Sequence, residues 1–104
     1  MRKALALRWA KALRSKKYTQ GRLFLRNRSQ DGEITHCCLG VLYEVAIGKT
    51  GPNRPLLTKN ILRQVGMSAA SQMFFTVCND DRCWKFPKIA TWIEKNYKKI
   101  ESEI

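Results

Sequence analysis

The run Ile34-Thr35-His36-Cys37-Cys38-Leu39-Gly40-Val41-Leu42 sets the chain's single histidine beside two of its four cysteines, where an apolar stretch begins. Cys78 and Cys83 form a second, Cys-x4-Cys pair. Zinc takes four sulfur or nitrogen ligands at the corners of a tetrahedron, so a site would be drawn from His36, Cys37 or Cys38, Cys78 and Cys83. Its first half is poor, because the side chains of adjacent residues diverge. A thiol at a helix N-terminus suggests a nucleophile instead, its thiolate stabilised by free amides and the macrodipole. That chemistry needs an oriented base, and His36 is badly placed to aim at the sulfur beside it. Unligated structural thiols are the expectation, with no metal and no cofactor. Asn79-Asp80-Asp81 reads as a turn. The chain has no glycine-rich phosphate loop, HExxH or dinucleotide fingerprint, and we expect no enzymatic activity.

The net charge of +12 is unevenly spread: residues 1–28 hold ten Lys or Arg and no acid, the remaining 76 ten bases and eight acids. An acid-free segment of this density attracts polyanions by pairing with phosphates and releasing their counterions. Arg8, Lys11, Arg14, Lys16, Lys17, Arg22, Arg26 and Arg28 are the candidate phosphate contacts, with Tyr18 and Phe24 as aromatics able to stack on unpaired bases. No helix-turn-helix pattern argues for sequence-specific readout. At 104 residues the chain is one domain, 1–104, with a basic helix and hairpin over 1–36 and a helical core over 37–104. No apolar stretch reaches the roughly 20 residues that span a bilayer. The basic start lacks the apolar core and cleavage site of a secretory signal, which points to reduced thiols in a cytoplasm.

The elements that must position these residues follow from spacing. Leu5, Trp9 and Leu13 predict a helix over 3–14. Arg22–Arg26 is strand-like, Gln30-Asp31-Gly32 a turn and Glu33–His36 the returning strand of a short antiparallel hairpin. Thr35 is the expected N-cap of a helix starting at His36 or Cys37, with Leu39, Leu42, Val45 and Ala46 inward, Gly40 permitting close packing and Gly48 as its stop. Lys49–Pro55 is a loop. Thr58 caps a short helix closed by Gly66. Ser68 caps a segment to Val77, read as helix against the strand propensity of Met73–Val77. Pro87 opens a final helix with Ile89, Ile93, Tyr97 and Ile100 on one stripe. The fold class is α+β, mostly α: four to five helices and one short antiparallel β-hairpin.

Taken in order, Ala12-Leu13-Arg14-Ser15-Lys16-Lys17-Tyr18-Thr19-Gln20-Gly21, then Cys37-Cys38-Leu39-Gly40-Val41-Leu42, then Asn79-Asp80-Asp81 with Phe86, Ile89-Ala90 and Trp92-Ile93-Glu94, resemble a family of small uncharacterised tailed-phage and prophage proteins. The resemblance covers most of the chain, with an insertion-like difference around Lys49–Pro55. His36 stands where that family has an aromatic, Cys78 where it has methionine or another apolar residue, and Cys83-Trp84 in a turn usually polar there. The resemblance implies a phage setting, hence a host cytoplasm, and a compact helical domain; it implies no activity. The expected function is a phage-type accessory protein that binds nucleic acid through its basic N-terminal face. The alternative is an inhibitor or modulator docked on an acidic surface of a host protein, anchored by Trp84 or Phe24.

Overall fold

Leu5, Trp9 and Leu13, with Ala6 and Ala10 between them, form the buried stripe of α1 (Lys3–Arg14). The computed structural model describes residues 1–100. Trp9 is fully buried, its ring meets Phe75 edge-on at 4.8 Å, and Nε1 donates to the Cys38 carbonyl at 2.9 Å. That bond satisfies the one polar atom the indole carries into the core.

The hairpin pairs β1 (Arg26–Arg28) with β2 (Ile34–His36), Arg26 opposite His36 and Arg28 opposite Ile34. Its first strand starts later than the sequence predicts. Leu23 has φ 73, a left-handed conformation unusual for so bulky a residue, and the chain before Arg26 is irregular. The cause is tertiary: the Leu23 amide donates to Asp80 Oδ1 at 3.2 Å and the Arg22 guanidinium contacts the Cys83 sulfur. The segment is held by the chain around residue 80 and by the Arg54 carbonyl, which accepts the Leu25 amide at 2.6 Å. The Cys37 amide, just past β2, also donates to the Phe24 carbonyl at 3.3 Å. On its other edge β2 receives a parallel bridge, with Gly21 N donating to His36 O at 2.8 Å and His36 N to Thr19 O at 2.9 Å. A two-stranded ribbon is marginal alone, and this third segment supports it.

α2 spans Cys38–Ile47, and its N-cap position is Cys37. Thr35 is therefore not the cap; it lies in β2, paired with Asn27. The close approach that Gly40 permits is to the backbone of Leu25: a Cβ at Gly40 would lie 1.7 Å from the Leu25 carbonyl oxygen. Gly48 ends the helix at φ 77. α3 (Lys59–Val65) begins where Thr58 accepts the Ile61 amide and ends at Gly66, φ 73. α4 (Ala69–Thr76) is capped by Ser68, which accepts the Ser71 amide at 3.1 Å. Helix thus prevails over the strand propensity of Met73–Val77.

Asn79-Asp80-Asp81 is not a simple turn. It belongs to a π-helical segment, Val77–Asp81, that continues α4 and turns Asn79 inward to 2% exposure. α5 (Phe86–Asn96) has Pro87 at its second position, not its first. The second amide also has no partner within the helix, so proline fits there. Phe86, Ile89, Ala90 and Ile93 are buried, largely against α1, and Tyr97–Lys99 adds a 3-10 turn before buried Ile100. The architecture is α+β and mostly helical, with five α-helices and a two-stranded antiparallel hairpin among the described residues. No helix among them is long and apolar enough to cross a membrane. The last four residues of the helical core expected over 37–104 lie outside the described residues.

Candidate nucleic-acid interface

α2 and α5 start without a side-chain cap of their own. Neither Cys37 before α2 nor Lys85 before α5 offers a side-chain hydrogen bond. Asn79 and Gln20 supply both from a distance. Asn79 Oδ1 accepts the Cys38 amide at 3.1 Å, and Gln20 Oε1 accepts the Phe86 amide at 3.0 Å. Gln20 Nε2 donates to Asn79 Oδ1 at 3.0 Å and to the Trp84 carbonyl at 2.8 Å, joining the two caps. Asn79 Nδ2 donates at 2.8 Å to both the Gly21 carbonyl and Asp80 Oδ1. The Gln20-Gly21 and Asn79-Asp80 phrases, 59 residues apart between Gln20 and Asn79, form one network. It pins residues 19–21 along β2, and that sets Tyr18 against His36, edge-on with ring centroids 4.9 Å apart.

From Tyr18 outward the surface opens into two adjoining grooves. One, of about 370 Å³, runs along α1 and is lined by Arg8, Lys11, Lys17, Tyr18, Glu44 and Val45, among others. The other, of about 300 Å³, runs toward the hairpin; Lys17, Tyr18, Arg26, His36, Glu44 and Thr50 are among its walls. Lys17, Tyr18 and Glu44 belong to both, so the two make one trough. Arg8 is steadied by a 2.8 Å bond to the Val45 carbonyl near the end of α2, where a cation also complements the helix dipole. Strand alternation puts Arg28 on the same hairpin face as Arg26, two pairs farther out. Lys17 Nζ sits 5.4 Å from the Tyr18 ring centroid.

Among the described residues Glu44 is the single acid in this lining, and it is the only charged residue of α2. His36 Nε2 donates to its Oε2 at 2.7 Å, and the Gly51 amide donates to the same oxygen at 3.1 Å. His36, considered as a zinc ligand or base from the sequence, is instead buried and turned toward Glu44. Sequence reasoning passed over Glu44 altogether. The signal was present: one carboxylate stands in an otherwise uncharged helix, with no other acid between Glu33 and Asp80.

The remaining predicted contacts go elsewhere. Arg14 crosses to α5, where it pairs with Glu94 Oε1 at 2.5 Å and donates to Thr91 Oγ1 at 2.8 Å. Arg22 turns to Cys83. Lys16 is exposed in the turn after α1 at φ 64, outside both groove linings. Phe24 is half-buried and lines neither groove. Trp84 is half-buried, edge-on to Phe74 and covered by Lys88 Nζ at 4.5 Å. Among the described residues the most exposed large apolar side chains are Leu23, at 62%, and Met73, at 52%.

The structure does not gather the zinc set. Among the described residues no three His, Cys, Asp or Glu side chains come together to hold a metal ion. Cys38 lies in the core with Sγ 3.8 Å from the Phe75 carbonyl, Cys78 is buried, and Cys83 is exposed on a φ 55 turn. Burial pushes the Cys37 thiol up to about 11, against the smaller opposing effect of the Gly40 and Leu39 amides. Burial also raises Cys38, with the neighbouring Cys37 adding to it, and raises Cys78. At Cys37, desolvation therefore outweighs the helix N-terminus.

Fold and surface together define a small, mostly helical α+β domain with a basic trough built around one tyrosine. Set against protein-family models, curated proteins and solved structures, the chain finds no match in any of the three.

Proposed function

We propose that the chain is an accessory protein of the small phage kind it resembles, working in a host cytoplasm by binding and not by catalysis, and that its trough takes nucleic acid. The observation that carries this reading is the convergence of Arg8, Lys11, Lys17 and Arg26 on one continuous surface with Tyr18 at its middle. Cations at several points along a groove follow a charged backbone, and an aromatic between them offers a surface for an unpaired base. The trough is built on helix and hairpin pinned by buried hydrogen bonds, so its geometry is set before a ligand arrives.

Affinity for nucleic acid then falls steeply with salt, as released counterions require. Fluorescence anisotropy with labelled oligonucleotides across a salt series tests this, and absence of binding to any nucleic acid at low salt overturns it. The alternative, a modulator docked on an acidic host protein, rests on the same charge and on exposed Leu23 and Met73. A pull-down from host lysate, repeated after nuclease treatment, separates the two readings. Loss of all partners after nuclease supports nucleic acid, and a retained stoichiometric protein supports the modulator.

A further inference from the structure

A carboxylate at the centre of a phosphate-binding trough is out of place. Phosphate oxygens are repelled by it, yet Glu44 is held there by two hydrogen bonds, from His36 Nε2 and the Gly51 amide, both to Oε2. Oε1 has no partner among the described residues, and none of their buried side-chain oxygens or nitrogens lacks one. Oε1 is therefore not enclosed, on a side chain that lines both grooves, and it is an acceptor only. Its complement is a donor edge. Among the four bases only guanine offers two adjacent donors, N1–H and N2–H, on its Watson–Crick edge; they run nearly parallel, so a single oxygen takes both as one bifurcated contact. Adenine and cytosine bring one amino group each, thymine one imino group.

Resting on the proposed nucleic-acid reading, we infer that Glu44 is a base-reading residue that selects an unpaired guanine in the trough. Tyr18 walls the same groove, and Lys17 and Arg26 stand beside it to take the flanking phosphates. The groove of about 300 Å³ is at the lower end of the size range of small-ligand pockets, as one base requires. The Watson–Crick edge is free only in a single strand, so duplex is refused. His36 acts as a positioning residue: its bond to Oε2 fixes the plane of the carboxylate and leaves Oε1 forward.

Anisotropy with a labelled oligothymidine carrying one central guanine, hypoxanthine or adenine tests the inference at fixed salt. Guanine is expected to bind at least about fivefold tighter than thymine or adenine, the low end of what a good base contact discriminates. Hypoxanthine, lacking the 2-amino group, falls between them. Glu44→Gln removes a negative charge, which raises affinity for the thymine and adenine strands, while the His36 and Gly51 donors claim its one oxygen and leave the amide NH2 forward. The readout is therefore the guanine-to-thymine ratio, which collapses toward one. Equal affinities within twofold across the wild-type series overturn the base-reading role and leave phosphate binding standing. No binding to any oligonucleotide at low salt overturns both.

Discussion

The Cys38 amide at the start of α2 donates to Asn79 Oδ1, 41 residues further along, at 3.1 Å. Through Gln20 the same oxygen is tied to the start of α5. Asn79→Ala leaves the Cys38 amide and the Gly21 carbonyl without partners and takes one bond from Gln20. At about 1–3 kcal/mol for each buried group left unpaired, the expected loss is about 3 kcal/mol. Urea unfolding followed by circular dichroism measures it, and a loss below about 1 kcal/mol would show that the network is incidental.

Gly40 and Gly48 separate steric from conformational demand within one helix. A Cβ at Gly40 meets the Leu25 carbonyl at 1.7 Å, a backbone contact that cannot swing aside, whereas a Cβ at Gly48 meets nothing within 4 Å. Gly48→Ala carries only the strain of its positive φ, about 1 kcal/mol. Gly40→Ala forces α2 away from the hairpin lead-in and is expected to cost about 3 kcal/mol or more. Comparing the two variants by thermal unfolding checks the order.

Binding should distinguish cations by where they point. Lys17→Gln and Arg26→Gln each lower the slope of log K against log salt by about 0.7 for a single strand. Arg14→Gln leaves that slope unchanged, because Arg14 already faces Glu94 on α5. Its effect on stability stays below about 1 kcal/mol, since both partners are partly exposed. A salt titration of the three variants decides the matter.

The four thiols should report burial directly. At neutral pH a thiol reagent is expected to modify Cys83 quickly and Cys37, Cys38 and Cys78 only after denaturation. Because folding raises the Cys37 thiol from an ordinary 9.0 to about 11, the unfolded chain loses that proton first as pH rises. The corresponding stability is complete below pH 9 and is lost between about pH 9 and 11, by up to about 3 kcal/mol. Cys37→Ala therefore shows a shallower decline over that window than the wild type in pH-dependent unfolding.

Local pattern sufficed for much of the fold. The i, i+4 stripe of α1, the hydroxyl caps Thr58 and Ser68, and the left-handed stops Gly48 and Gly66 lie where nearest-neighbour chemistry puts them, because each rule acts within a turn or two. The uneven charge was equally legible. Three-dimensional placement was not. Thr35 looked like a cap because a hydroxyl before a helix usually is one, but its place in β2 is set by pairing with Asn27, and the cap comes from Asn79. Arg14 and Arg22 looked equivalent to Lys17, yet Glu94 and Cys83 claim them across 80 and 61 residues.

Composition and periodicity alone thus settled that this chain is a mostly helical α+β domain with a basic N-terminal third, since helix stripes, caps and net charge are local or additive quantities. Only the tertiary structure decided which cations share a surface, that His36 serves Glu44 and not a cysteine, and that one carboxylate sits among them. Those are relations between distant residues, fixed by hydrogen bonds and packing that no local spacing encodes.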